Sequence, residues 1–244
     1  MLSLLFPVHA AAQALASADV AERTRVATYY VYSDATLGPV VSIVEDAYAF
    51  LSAAFGVVLE TPIEVHLFPT QTAFWNRVFP GRENNGRTTG YADAENGRIY
   101  LTSPDDTSIK SREEMLKVPL HELTHLFLPH TDTLRREGAA VSLADQLTPA
   151  PSGLLPITGE DDIVRLFRGM ESSDIDSVRA GYNLAGWRER FVLEECLDGD
   201  YRRYLSHYRT QVDRFDWSSL GYPSEVAFYT ALSGYIRQTG DEQR

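Results

Sequence analysis

The sequence predicts an α+β fold, and three observations carry that reading. Runs of β-branched and aromatic residues alternate with helically spaced apolar residues as far as Ser103. An Asn-Gly turn stands between two of the extended runs. Beyond Ser103 the apolar spacing is helical almost throughout. The expected layout is a small mixed β-sheet with interleaved helices, followed by an α-helical C-terminal subdomain.

Each element follows from local residues. Thr28-Tyr29-Tyr30-Val31-Tyr32 is β-branched and aromatic and predicts the first strand. Val40 to Phe55 carries Val41, Ile43, Val44, Ala47, Phe50 and Leu51 at helical spacing and stops at Gly56. Pro62 to Pro69 alternates through Ile63, Val65 and Leu67 as a second strand, and Thr70 to Val78 predicts a short helix. Thr88 to Asp93 and Arg98 to Thr102 predict a hairpin around Glu95-Asn96-Gly97, where Asn-Gly supplies positive φ angles. Ser111 with Glu114 has the form of a capping box. Pro119 then allows two arrangements, a helix from Ser111 kinked at Pro119 or a new helix starting there. Either leaves 120–128 helical, ended by Pro129. The next helix is expected from Thr131-Asp132-Thr133, whose side chains can cap it, to about Gln146. Pro149 to Gly181 holds two Pro-rich turns and the amphipathic Ile163 to Phe167 segment, and is either a cover for a cleft or a plain connector.

With 244 residues the chain can bury a real core as one domain, or as a catalytic domain with a helical extension. The division expected is 1–18, then 19–110 with the sheet and hairpin, then 111–244 with the helices. A net charge of -12 argues against a nucleic-acid partner, because phosphate binding needs a basic surface. Cys196 is the only cysteine, which excludes an intrachain disulfide and a thiolate cluster. Leu2 to Val8 is apolar, and Ala10-Ala11-Ala12-Gln13-Ala14 has the small residues of a signal-peptidase site, which predicts export. No Lys or Arg precedes Arg23, so an apolar first helix of a cytoplasmic domain is the other reading. Past this stretch no apolar run approaches the length of a membrane span.

The most informative segment is His121-Glu122-Leu123-Thr124-His125. On a helix, residues four apart stand one above the other, so His121 and His125 can aim two imidazoles at one zinc ion. Glu122 lies on the neighbouring face, where a carboxylate can take a proton from a zinc-bound water. Twelve residues on, Arg136-Glu137-Gly138-Ala139-Ala140 offers a third ligand at the start of another helical stretch. Two histidines and one carboxylate leave a fourth position of the single zinc open for that water. A hydrogen-bond donor commonly steadies the oxyanion that forms next, and a tyrosine hydroxyl suits the task.

These residues resemble the gluzincin zinc metallopeptidases, relatives of thermolysin and aminopeptidase N, especially the compact bacterial peptidase-MA-like domains. His121-Glu-x-x-His125 followed by Glu137-Gly138-x-Ala140 carries the likeness. It implies a thermolysin-like catalytic domain with Glu137 as third zinc ligand and Glu122 as general base. Tyr182-Asn183-Leu184-Ala185-Gly186 is similar to the Tyr-x-x-Ala helix of compact members, which implies Tyr182 near the metal as oxyanion stabiliser. The likeness also implies that the hairpin before the active helix is the rim of the cleft, pairing with a peptide or protein substrate as an added strand. In element order the resemblance covers roughly residues 28 to 200; in motif it covers 121 to 140.

Two features depart from the pattern. Thermolysin-like chains carry an aspartate four residues after the ligand glutamate, where it orients a zinc histidine; here that position is Val141, and Asp145 is the candidate replacement. The Gly-x-Met-Glu-Asn element by which aminopeptidase N relatives hold a substrate's amino terminus is absent. Endopeptidase is therefore the default expectation. Three alternatives compete: a gluzincin-like zinc domain serving recognition or assembly, a zinc hydrolase of a non-peptide bond, and a helical interaction module without metal. Among the other histidines, His130 is either a substrate contact or a solvated loop residue, His66 reads as structural, and His9 and His207 carry no signal.

Overall fold

Among the described residues, five strands form one mixed sheet. The computed structural model describes residues 19–148, 175–210 and 215–242. The signal-peptide reading of 1–18 and the covering segment at Ile163 to Phe167 lie outside them. The described residues fall into two compact units. One holds those up to Phe50 with Val58–Leu126; the other holds Leu51–Val57 with those from Phe127 onward.

The first unit contains the sheet: β1 (Asp19–Arg23), β2 (Ala27–Val31), β3 (Ile63–Phe68), β4 (Gly90–Asp93) and β5 (Arg98–Thr102). β2 and β5 run parallel to the central β3, while β1 and β4 pair antiparallel at the two edges. Side chains alternate across the sheet, so each register row has one chemistry. Tyr29, Val65 and Ile99 are paired in one row and fully buried. α1 (Val40–Phe55) lies on that face: its Val40, Val44 and Ala47 are buried at helical spacing, and the Tyr29 hydroxyl donates to Glu45. Gly56, at φ +65°, ends the helix in a conformation that costs a side chain energy.

The next row along the strands is Tyr30, His66, Tyr100 and Tyr91, on the opposite face. His66 is sandwiched in register, with ring centroids 4.7 Å from Tyr30 and 4.8 Å from Tyr100. α2 (Gln71–Val78) closes this face with Phe74 and Trp75 against Tyr32, Phe68 and Tyr100. Removing each such aromatic from water contributes about 1.5–3 kcal/mol. Thr70 caps α2 by accepting from the Ala73 amide. The β4–β5 hairpin forms as the sequence predicts, with one correction. Gly97 alone takes positive φ (+63°), while the Asn96 side chain and amide bond Asp93. Asn96 therefore serves as a hydrogen-bonding turn residue, not as a left-handed one. β1, which the sequence did not announce, is a correction too: all five residues are exposed, so no alternating pattern marks them.

The second unit is helical: α4 (Thr133–Leu143), α5 (Ile175–Phe191), α6 (Tyr201–Thr210) and α7 (Glu225–Glu242), with α3 (Arg112–Phe127) belonging almost wholly to the first. α4 and α5 run antiparallel, from Arg135 beside Glu189 to the Asn183 amide bonded to the Thr148 backbone. α5 continues into a π turn, Val192–Cys196. Burial pushes the Cys196 thiol up to about 11, against a Tyr222 hydrogen bond that pulls it down. α7 contributes Phe228, Leu232 and Ile236 as a buried stripe. Among the described residues no helix is long and apolar enough to cross a membrane.

Candidate metal centre

α3 begins with the predicted capping box: Ser111 N donates to Glu114 Oε2 at 2.8 Å, and Glu114 N donates to Ser111 Oγ at 3.3 Å. Of the two arrangements Pro119 allowed, one unbroken helix from Arg112 to Phe127 is found, with Pro119 inside it. Pro119 has no N–H to give the Met115 carbonyl, so the ladder lacks one bond two residues before the motif. Past it, the Thr124 hydroxyl donates to the Leu120 carbonyl at 2.8 Å. Leu123 and Leu126 are buried on the same helix. His121 and His125 share the remaining face, ring centroids 4.9 Å apart and nearly perpendicular. His125 and Glu122 are buried, and His121 is half-buried.

Glu122 has an unusual neighbour. A methyl built on Gly90, the first residue of β4, would collide with Glu122 Oε1 and come within 2.8 Å of its Cγ. The carboxylate thus lies where the strand presents only backbone.

Glu137 sits in the first turns of α4. Asp132 caps that helix, accepting from the Leu134 amide at 2.8 Å, and the helix ends at Leu143, three residues short of the Gln146 expected. The Glu137 carboxylate is nearly buried and accepts from Arg136 at 3.3 Å. Gly138 follows for a spatial reason: a methyl there would lie 2.5 Å from the Ala185 carbonyl oxygen of α5. Gly186 repeats the device, since a methyl on it would lie 2.6 Å from Val141 Cγ1. Small residues let α4 and α5 approach closely, and the Glu-Gly pair is a ligand candidate beside a helix-crossing residue.

The ligand atoms of His121, His125 and Glu137 all lie within 4.8 Å of one another. Ligands about 2.1 Å from one tetrahedral ion stand about 3.4 Å apart, closer than the 4.8 Å limit within which these atoms fall. Two imidazoles and a carboxylate suit a borderline ion such as zinc. No protein-family model matches the chain, and no curated protein matches it.

The other predicted site residues are placed as follows. Tyr182 lies on α5, half-buried, one turn before Ala185. Asp145, the candidate for orienting a histidine, is turned to Arg190 Nη2 at 3.5 Å and is largely exposed. His130 Nδ1 accepts from the Asp132 amide at 2.9 Å and its ring meets Tyr208 edge-on, which makes it part of the α3–α4 turn. His66 is structural, held between two tyrosines and bonded to the Tyr32 hydroxyl at 3.2 Å.

Sequence reasoning missed Gly90, whose role is spatial and leaves no pattern. It also missed a buried ionic cluster beside α4. Glu189 accepts from Arg188 at 2.7 Å and from the Tyr204 hydroxyl at 2.7 Å, and Arg135 Nε stands 3.8 Å away. All three charged side chains are at most 3% exposed. Burial alone would raise the Glu189 carboxyl, but Arg135, Arg188 and Tyr204 together hold it below the ordinary range.

Proposed function

We propose that this chain is a zinc-dependent metallopeptidase of thermolysin-like architecture, an endopeptidase by default. The observation that carries the reading is the gathering of His121, His125 and Glu137 within 4.8 Å, with Glu122 buried next to them. A bound zinc supplies Lewis acidity toward the scissile carbonyl and lowers the pKa of a water toward about 7. His121 and His125 would hold the ion, with Glu137 as the third donor. Glu122 takes the proton of the attacking water on its carboxylate and returns it to the leaving amine nitrogen. Tyr182 is the candidate donor to the oxyanion, on the strength of the Tyr-x-x-Ala likeness alone. β4 is an edge strand of the sheet, the position from which an extended peptide would be paired as an added strand.

The test is metal analysis combined with two variants. Purified protein should hold about one zinc per chain. Glu122→Gln should keep that zinc and lower turnover of casein or a peptide library by roughly a hundredfold to ten-thousandfold. Glu137→Ala should lose both metal and turnover. Absence of zinc under conditions that preserve it in a control peptidase would sink the proposal, as would unchanged cleavage by Glu122→Gln. Zinc without turnover of any peptide would favour a recognition domain.

A further inference from the structure

Gly90 does not take positive φ, so its backbone conformation makes no demand for glycine. What demands it is space. A methyl there would strike Glu122 Oε1, approach Glu122 Cγ to 2.8 Å and approach Val118 Cγ1 to 2.6 Å. Val118 and Glu122 are four apart on α3 and present one face. Both are buried, at 4% and 6% exposure.

Which partner would yield is decided by how each is held. The chain entering β4 is pinned from several directions. The Thr102 amide donates to the Thr89 carbonyl at 2.8 Å, and Gly90 pairs with Leu101. Lys110 Nζ donates to Thr89 Oγ1 at 3.1 Å. The Gln71 amide donates to the Thr88 carbonyl at 3.2 Å and is locked to Asn84 in a reciprocal amide pair at 2.9 and 2.8 Å. Thr89 itself is buried. Against this braced backbone stand two side chains of α3, Glu122 with its carboxylate and Cγ, and Val118 with its Cγ1. A methyl at position 90 therefore presses on this pair, and the displacement falls on the Glu122 carboxylate together with Val118.

We propose that Gly90 is a positioning residue for Glu122. The strand is bare at this point so that the carboxylate can lie against the β4 backbone, and that seat fixes the direction from which Glu122 takes and returns its proton. The proposal rests on the reading of Glu122 as general base and deepens it, since general-base geometry fails over displacements of about an ångström.

The experiment has one arm that needs neither metal nor substrate. In metal-free protein labelled with carboxyl-13C glutamate, the Glu122 resonance is assigned by its disappearance in Glu122→Gln. Gly90→Ala should shift that resonance. Gly234→Ala, where a methyl meets nothing within 4 Å, should leave it in place. The second arm is kinetic and uses the zinc-loaded protein. Gly90→Ala should lower kcat at least tenfold with KM within threefold and zinc stoichiometry unchanged. In the Glu122→Gln background the same substitution should change the residual rate less than twofold, because both changes disable one group. In folded protein, an equal fall of the rate in both backgrounds would mean that position 90 does not act through Glu122, and would overturn the proposal. So would an unmoved resonance with kcat within twofold of the parent. A shifted resonance in a protein that binds no zinc and cleaves no peptide would retire the peptidase reading while the seat itself stood. Should Gly90→Ala not fold, adding Val118→Ala removes the second obstruction, and the same two readouts apply to the double variant.

Discussion

The sheet and the helical unit each bury ionisable groups, and they treat them in opposite ways. In the sheet, His66 discards its charge. Burial drives its pKa down to about 4, although the Glu64 hydrogen bond pulls upward, and the flat neutral ring stacks between Tyr30 and Tyr100. In the helical unit, Arg135, Arg188 and Glu189 keep theirs. A guanidinium does not deprotonate in a protein, so it must be met by a carboxylate or by ring faces. Arg188 takes the carboxylate directly. Arg135 stands 3.8 Å from it and lies over Tyr208 at 4.7 Å and Phe215 at 5.2 Å, and among the described residues no hydrogen-bond acceptor reaches its nitrogens. A titratable ring lets a core stay neutral, whereas permanent cations commit a core to one counterion.

The strongest challenge to that contrast is to remove the counterion. Glu189→Gln keeps the shape and leaves two buried guanidiniums without their carboxylate. It should destabilise by about 3–5 kcal/mol, read by chemical denaturation. A loss below about 1 kcal/mol would mean that the aromatic faces suffice and the commitment to one counterion is wrong.

A gentler challenge is acid. Because the folded pKa of His66 lies below its unfolded value of about 6.5, the unfolded chain takes up the proton first as pH falls. The stability of the neutral ring is fully present above about pH 6.5 and is lost progressively down to about pH 4, by at most about 3 kcal/mol. His207, half-buried and also pushed down to about 4 by burial and by Arg135, adds a loss of the same sign. Denaturation at several pH values should show His66→Phe, which keeps a flat ring, removing a resolvable part of the slope. An unchanged slope would place the acid sensitivity elsewhere.

The smallest effect sharpens a second difference, between the glycines. Gly90 makes room for a side chain, whereas Gly138 makes room for the backbone carbonyl of Ala185. Backbone in a helix cannot rotate aside, so Gly138→Ala should push α4 from α5 and cost about 1–3 kcal/mol. Gly234→Ala should be neutral or stabilising by up to about 1 kcal/mol, since helical glycine is costly and the space is open. Equal melting temperatures for the two variants would contradict the close crossing.

How much of this was legible follows the same physics. α1 and the Ser111–Glu114 box were plain because period, cap and terminator are local. That His121 and His125 share one face of α3 was readable because a spacing of four on a helix is itself a local pattern. Gly138 was readable only as part of a likeness, and its cause, the Ala185 carbonyl, lies 47 residues away in sequence (185 − 138). β1 was hidden because exposed strands have no hydrophobic alternation. Arg188-Glu189-Arg190 looks like a solvated charge run, and nothing nearby in sequence says that the first two are buried. Gly90 looks like an ordinary hairpin residue, because what it accommodates comes from another element.

Cys196 has a practical consequence. With its thiol held near 11, the thiolate fraction at neutral pH is about a hundredfold smaller than that of an ordinary cysteine. Maleimides should label it about a hundredfold more slowly than an exposed introduced cysteine. Spectroscopic reporters attached through an introduced cysteine, for example at the β4–β5 turn, can then be placed selectively by short labelling times without mutating the natural sulfur.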